Sequence, residues 1–393
     1  MTLKEHKKHS TIKRPGYGSF GRQEWAILGA PCDTIKALAD TVISSLAAVH
    51  KCAYVDTRHA EGDAAVNLPG RLAAGAALAY TDEIHYGQFN YKVQPNPFQY
   101  RQLFNEADLV LVNGNHHQAK AQVVVIDAVK KESLRKRVAQ LTNVQLFLMA
   151  GNADEVFDFV REAVPEWQQV PVLRLADTAE ICAFFGERLL QAKPVLNGLV
   201  LAGGKSTRMG QDKGAMAWHG KEQRYFAADL LQEQCREVFI SCRPEQQAEL
   251  NGSYKTIPDT FTGLGPYGAI LSAFREQPEA AWLVVACDLP MLHSETLRFL
   301  VQHRNAAANA TTFESPQDGF PEPLITIWEP KSYLTLLAFL AQGYTCPRKV
   351  LLNSDISLLQ SPYPQALLNV NTPEDAERVK QLLGQKNVLA DGN

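Results

Sequence analysis

Short apolar runs recur along the whole chain, and most are followed by a segment whose apolar residues fall at helical spacing. Runs at 25–28, 52–55, 107–112, 122–126, 144–150 and 172–175 read as strands, with helices expected over 34–49, 153–163 and 178–190. Strands this uniformly apolar are covered on both faces, which is the situation of a parallel sheet between layers of helix. The alternation places the chain in the α/β class, and 393 residues are too many for one ordinary core.

The segment QAKPVL at 191–196 is the obvious joint, and a new pattern starts directly after it. Strands are expected at 196–201, 238–242, 254–257, 282–286 and 367–370, and helices at 224–235, 267–276, 294–303 and 333–342. Thr372, Pro373 and Asp375 open a last helix, with Thr372 as N-cap, Pro373 in the first turn and Asp375 closing the box. The organisation read from this is a basic tail over 1–23, domains at 24–190 and 195–385, and a frayed end at 386–393. Each domain is expected to be a mostly parallel sheet with helices on both faces.

Composition excludes some function classes. A hydrophobic fraction of 46%, a charged fraction of 21% and a net charge of -3 are those of a soluble globular protein with no bias toward nucleic acid. The early cations Lys4, Lys7, Lys8, Lys13, Arg14 and Arg22 read as a solvated tail. No apolar run approaches the roughly 18 residues of a membrane span, and none follows the basic start, so neither a span nor a secretory signal is expected. The seven cysteines (Cys32, Cys52, Cys182, Cys235, Cys242, Cys287 and Cys346) include no CxxC pair. An odd number in a large chain points to reduced thiols in a cytoplasmic compartment. Cys287 lies in an apolar run and reads as a small buried hydrophobe.

The most informative stretch is LAGGKSTRMGQDK at 201–213, which follows a strand. Gly203 and Gly204 let the backbone approach a ligand closely, and successive N–H groups can cradle phosphate oxygens. Arg208 and Lys213 supply a planar fork and a point charge for a triphosphate. The loop is neither GxxxxGK[ST] nor GxGxxG. Taken alone, a glycine pair is more often a plain turn; the two spaced cations decide for phosphate binding. In VVACDLP, Asp288 ends a buried strand, where α/β sheets take ligands and where a carboxylate suits Mg²⁺. An N-cap or turn aspartate explains that residue equally well in isolation. Asp259 also ends a strand, and the glycine loop containing Gly263, Gly265 and Gly268 follows it; a long Gly/Pro turn is the plainer reading.

Taken in order, LAGGKSTRMGQDK, IPD with GLGPYG, ACDLP and NVNTPED resemble the molybdenum cofactor guanylyltransferases (the MobA family) over about 196–382. The resemblance implies a Rossmann-like nucleotidyltransferase fold that uses GTP and Mg²⁺ and transfers GMP to the phosphate of molybdopterin. It implies that Leu201, Ala202, Gly203, Gly204 and Lys213 bind GTP, with Arg208 near its phosphates and the Gly265 loop alongside. Asp259 would meet the nucleoside and Asp288 the metal; Asn369 and Asn371, with Arg348 and Lys349, would lie on the molybdopterin side. The catalytic group is then Arg208, Lys213 and Asp288. A second glycine in LAGG resembles guanylyl rather than cytidylyl enzymes. Ser241, where relatives often carry asparagine, and Tyr267, where leucine is common, depart from the pattern.

In the first half, GAPCDTIK at 29–36 sits where a P-loop would, but Thr34 and Ile35 occupy the glycine and lysine positions. YVDTRH, ADLVLVNGNHH and the strand ending at Asp127 resemble the MobB family of P-loop adaptors over about 24–190. The resemblance implies a degenerate P-loop domain that binds the cofactor or braces the catalytic domain. His116 and His117, taken as strand neighbours, should point apart, and His59 and His85 have no ligand-spaced neighbour, so no metal is expected. The competing readings are a nucleotidyltransferase using CTP or a sugar-phosphate acceptor, a non-catalytic carrier or adaptor of the cofactor, and an N-terminal GTPase. The missing lysine disfavours the last.

Overall fold

The computed structural model describes residues 20–57, 68, 70–204 and 213–390. The early cations up to Arg14, then His59 and Arg208, lie outside the described residues. The chain forms two compact units, 1–192 and 193–393.

The first unit runs β1 (Glu24–Leu28), α1 (Cys32–Leu46), β2 (Cys52–Val55), α2 (Gly70–Ala73), β3 (Leu78–Asp82), β4 (Gly87–Tyr91), α3 (Pro97–Leu103), β5 (Leu109–Asn113), β6 (Ala121–Ile126), α4 (Lys131–Arg135), β7 (Val144–Met149), α5 (Asp158–Ala163), β8 (Val172–Arg174) and α6 (Thr178–Gln191). Its main sheet has the order β2-β5-β1-β6-β7-β8 and is parallel throughout. Alternate residues of β1 serve opposite faces: Trp25 and Ile27 pack with Ile35, Leu38 and Val42 of α1 and Phe185 of α6, while Leu28 packs with Leu134 and Val160. β3 and β4 form a separate antiparallel ribbon.

Two expectations need correction here. The helix foreseen over 153–163 begins only at Asp158, because Phe157 is extended (φ -59°, ψ 142°), with Val156 drawn into the core. His116 and His117 stand in a turn after β5, not on a strand; they still diverge, toward Cys32 and Thr57 respectively.

The second unit runs β9 (Leu196–Leu201), α7 (Gln223–Gln232), β10 (Val238–Cys242), β11 (Lys255–Pro258), α8 (Pro266–Glu276), β12 (Ala281–Ala286), α9 (Ser294–Gln302), β13 (Ala310–Glu314), β14 (Pro321–Trp328), α10 (Ser332–Ala341), α11 (Pro347–Leu352), β15 (Ile356–Leu359) and α12 (Pro373–Ala390). The sheet order is β11-β10-β9-β12-β14-β13-β15, parallel except for β14, which runs antiparallel to both neighbours. Leu283 and Val285 face Leu231, Leu297 and Leu300 of α7 and α9; Trp282 and Val284 face Ile270, Phe274 and Leu336 of α8 and α10. This is the double covering that the apolar strands demand. The strand expected at 367–370 is instead a short 3-10 turn (Pro364–Leu367) and an extended segment. Val370 buries its side chain against Met291, Ala376 and Val379, and its N–H donates to Asp288 O at 2.8 Å. Among the described residues, no helix is long and apolar enough to cross a membrane.

Candidate functional site

The cleft of the second unit is built by register. Leu201 lies beside Ser241 on β10 and Ala286 on β12, so residues just beyond these partners emerge together at the carboxyl ends of the strands. The lining is Leu201, Ala202, Gly203, Gly204, Lys213, Gly214, Ser241, Asp259, Gly265, Pro266, Ala269, Ala286, Cys287, Asp288 and Leu324. The glycine loop, the lysine and both strand-end aspartates therefore share one cleft. Cys287 lines it while also belonging to the core, as its apolar setting implied.

Gly203 brings the loop close to Asp259: a Cβ there would lie 3.1 Å from Asp259 Oδ2, tighter than an ordinary contact. A Cβ on Gly204 would meet open space, so that position leaves room in the cleft without relieving a clash. Gly265 has φ 57°, in the left-handed region, and Pro266 follows as the first residue of α8. Gly268 lets the helix pass the preceding loop, since a Cβ there would lie 2.1 Å from Phe261 O. Ser272 Oγ donates to Gly268 O at 2.7 Å and accepts the Thr260 N–H at 2.9 Å, tying the loop after Asp259 to α8.

The charged groups are arranged around β12. Lys213 Nζ lies 3.7 Å from Asp288 Oδ2 and donates to Asn371 Oδ1 at 2.7 Å. Among the described residues, the buried Asp288 Oδ1 has no hydrogen-bond partner. Burial pushes the Asp288 carboxyl above the usual carboxylate range, and the Lys213 ammonium opposes that shift. The Asp288 loop is held by its backbone: Gln223 Nε2 donates to Leu289 O at 3.2 Å and His219 Nε2 lies 2.8 Å from Pro290 O. Burial also raises Asp259, against a 2.7 Å hydrogen bond donated by Ser241 Oγ to its Oδ1.

Residues expected on the far side of the cleft divide. Asn371 reaches Lys213, positioned by Asp375, whose Oδ2 accepts the N–H groups of Asn371 and Thr372 at 3.0 Å. Asn369 is half-buried and does not line the cleft. Arg348 Nη1 donates to Asp318 Oδ2 at 2.8 Å and Arg348 Nη2 lies 3.6 Å from Glu322 Oε2; Lys349 sits over the Tyr344 ring, and neither cation lines the cleft. Tyr267, one of the departures, is fully buried and donates to Leu336 O at 2.7 Å, so it faces the core. Ser241 does line the cleft, through its bond to Asp259. Sequence reasoning did not single out Leu324 or Ala269, whose types carry no chemical signal.

An open, mostly parallel sheet whose central strand ends in a glycine loop, beside a lysine and a buried carboxylate, defines an α/β nucleotidyltransferase unit. The MobA-like NTP transferase domain family matches residues 198–357. A molybdenum cofactor guanylyltransferase of Shewanella baltica is 31% identical over 193 residues, covering 47% of this chain and 95% of that protein. The chain belongs to the molybdenum cofactor guanylyltransferase family. A molybdenum cofactor biosynthesis bifunctional protein of Synechocystis is 35% identical over 181 residues, 46% of this chain; the chain spans about half (52%) of that relative. Among solved structures, the molybdopterin-guanine dinucleotide biosynthesis protein A of Archaeoglobus fulgidus matches with 23% identity and a TM-score of 0.42, over 48% of this chain and 99% of that one.

Proposed function

We propose that the second unit transfers GMP from GTP to the terminal phosphate of molybdopterin, releasing pyrophosphate and forming molybdopterin guanine dinucleotide, in the cytoplasm. The observation that carries this reading is the convergence of Gly203, Gly204, Lys213, Asp259 and Asp288 in one cleft. Family membership supplies donor and acceptor.

The backbone of the loop after β9 receives the triphosphate, and Lys213, 3.7 Å from Asp288, neutralises its charge. Arg208, in the same loop, is assigned to the phosphates by its place in the motif. Asp259 faces the nucleoside, oriented by Ser241, while Asn371 and Asn369 belong to the acceptor side. Asp288 fits Mg²⁺, because its buried Oδ1 lacks a partner among the described residues and hard dications take carboxylate oxygens. When bound there, the ion supplies charge neutralisation to the phosphates. An acceptor phosphate oxygen attacks the α-phosphorus in line; a P–O bond forms as the bond to the β-phosphate oxygen breaks, and the electrons leave with pyrophosphate. The nucleophile is already anionic, so positioning and charge neutralisation suffice without a general base.

The first unit, on this reading, is a degenerate P-loop module that does not hold a triphosphate. Its helix α1 starts at Cys32, and Ile35, at the position of the P-loop lysine, is fully buried. The domain limits 24–190 and 195–385 are proposed on the same grounds.

The test is pyrophosphate release by the full chain with Mg²⁺, either GTP or CTP, and either molybdopterin or a sugar phosphate as acceptor, with the product identified by mass. GTP-dependent release with the dinucleotide product is expected. Release with CTP alone replaces the donor, release only with a sugar phosphate replaces the acceptor, and no release with any pair leaves the carrier reading.

A further inference from the structure

The open cleft of the second unit leaves unexplained a cluster in the first. There β1 enters α1 through Gly29, Ala30 and Pro31, between the parallel neighbours β5 and β6. Gly29 has φ 94°, and a Cβ on it would lie 2.3 Å from Val125 O, so the turn is tight. Asn115 Nδ2 donates to Ala30 O at 2.9 Å. Cys32 is the first residue of the 15-residue helix α1, is partly exposed, and holds its Sγ 3.3 Å from His116 Nε2. Asn115 Nδ2 lies 3.8 Å from the same sulfur.

We propose that Cys32 and His116 form a nucleophile–base pair that exchanges with low-molecular-weight disulfides, making Cys32 a site of S-thiolation. The argument is geometric. A thiol within reach of an imidazole nitrogen can pass its proton to it, and the N-terminus of a long helix favours the resulting anion. Asp56, just after β2, accepts hydrogen bonds from the Thr57 N–H at 2.7 Å, Asn113 Nδ2 at 2.8 Å and Tyr54 OH at 3.1 Å, and His116 adds a favourable charge interaction. Burial works against that carboxylate, but the Thr57 N–H, Asn113, Tyr54 and His116 together hold it below its usual range. Other groups around the pair are Asp33 and Lys36 on α1, Tyr54 on β2, and Arg137, whose Nε donates to Asn115 O at 3.0 Å.

Other thiols compete poorly. Burial pushes Cys235 up to about 12 and Cys242 up to about 11, and burial with the Asp108 charge also raises Cys52. Cys52 and Cys182 direct their sulfurs to His50 O and Thr41 O.

The step balances without further reagents. His116 Nε2 takes the Sγ proton, the thiolate attacks one sulfur of R–S–S–R to form a new S–S bond, and the original S–S bond breaks. The released RS⁻ takes a proton from the imidazolium. Cys32 is oxidised to Cys32–S–S–R while the leaving half is reduced to its thiol, and excess thiol reverses the exchange. The proposal concerns the first unit alone, so it stands or falls independently of the nucleotidyl transfer reading.

The experiment treats the full chain with glutathione disulfide and follows each cysteine-containing peptide by mass spectrometry. Cys346, exposed, serves as the internal reference. Cys32 should be thiolated about tenfold or more faster than Cys346 in the native chain, and the two rates should converge in urea. His116→Gln, which keeps a polar side chain but no base, should remove the excess. Equal or slower thiolation of Cys32 in the native wild-type chain overturns the proposal, and this comparison needs no variant. Retention of the excess in folded His116→Gln, its fold checked by circular dichroism, overturns the pairing as well.

Discussion

At the scale of single residues, both cleft carboxylates sit where burial disfavours their charge. Burial raises Asp288 against Lys213, and burial raises Asp259 against the Ser241 hydroxyl. A carboxyl whose folded pKa exceeds its unfolded one contributes stability that is complete below the unfolded value, about 4, and lost as pH rises through the folded value. The ligand-free protein at neutral pH therefore carries a destabilising Asp288. Asp288→Asn should raise its melting temperature at pH 7 while cutting pyrophosphate release by about 10²–10³-fold. Thermal melts and the release assay on the same sample check this; unimpaired turnover removes Asp288 from the metal role. Lys213, Asp259 and Asp288 were legible in the sequence only as a set, since each alone has a plainer structural reading; their motifs in order single them out, and the fold brings them to one cleft. Leu324 and Ala269 were not, since they reach the cleft only through packing among β14, β12 and α8. Tyr267, which departs from the leucine common at that place, turns its side chain into the core and donates to Leu336 O, so the departure does not reach the cleft lining.

At the scale of elements, α12 links a helix cap to the site. Thr372 Oγ1 accepts the Asp375 N–H at 3.2 Å, and Asp375 accepts the N–H groups of Asn371 and Thr372 in return. The cap thus fixes Asn371 against Lys213. Asp375→Ala should cost about 1 kcal/mol in urea unfolding and raise KM for the acceptor more than it lowers kcat. The Asn371 N–H, against slight burial and with help from Thr372, holds Asp375 below its ordinary value. Its stabilising contribution is therefore present above the unfolded pKa and lost as pH falls through the folded one, so the wild type and Asp375→Ala should converge in stability below about pH 4. Gly268→Ala, which drives a methyl against Phe261 O, should cost about 1–3 kcal/mol and loosen the loop after Asp259, read as a lower urea midpoint and weaker GTP binding. This cap was legible because its partners are adjacent in sequence. Strands β13 to β15 were not, because threonines, prolines and a glutamate interrupt their apolar runs and only pairing with β12 and one another defines them. The strand expected at 367–370 shows the converse: an apolar pattern satisfied by burial of Val370 and one N–H bond to Asp288 O.

At the scale of the whole chain, two parallel-type sheets each carry a loop at the carboxyl end of a central strand, and the loops differ in what fills them. After β9, the glycine loop borders an open cleft with Lys213 and a carboxylate oxygen that has no partner among the described residues. After β1, Asn115 binds Ala30 O, His116 meets Cys32, and Ile35 is buried where a phosphate-binding lysine would stand. A triphosphate needs both room and a cation; among the described residues the loop after β9 borders a cleft with Lys213, whereas Asn115 and His116 pack against the loop after β1 and Ile35 takes the lysine position. The chain should therefore bind one GTP, measured by calorimetry with Mg²⁺. Lys213→Ala should abolish that binding at micromolar protein, whereas Lys36→Ala, on the exposed face of α1, should leave it unchanged. A ligand that binds only the folded protein stabilises it by about 2.7 kcal/mol at 100 times its Kd. Saturating GTP should accordingly shift the melting of the second unit, monitored by fluorescence from Trp282 and Trp328, while signals from Trp25 in the first unit stay in place. Two equivalents of GTP, or a shift confined to the first unit, would place the nucleotide in the filled loop and contradict the physical distinction between the two.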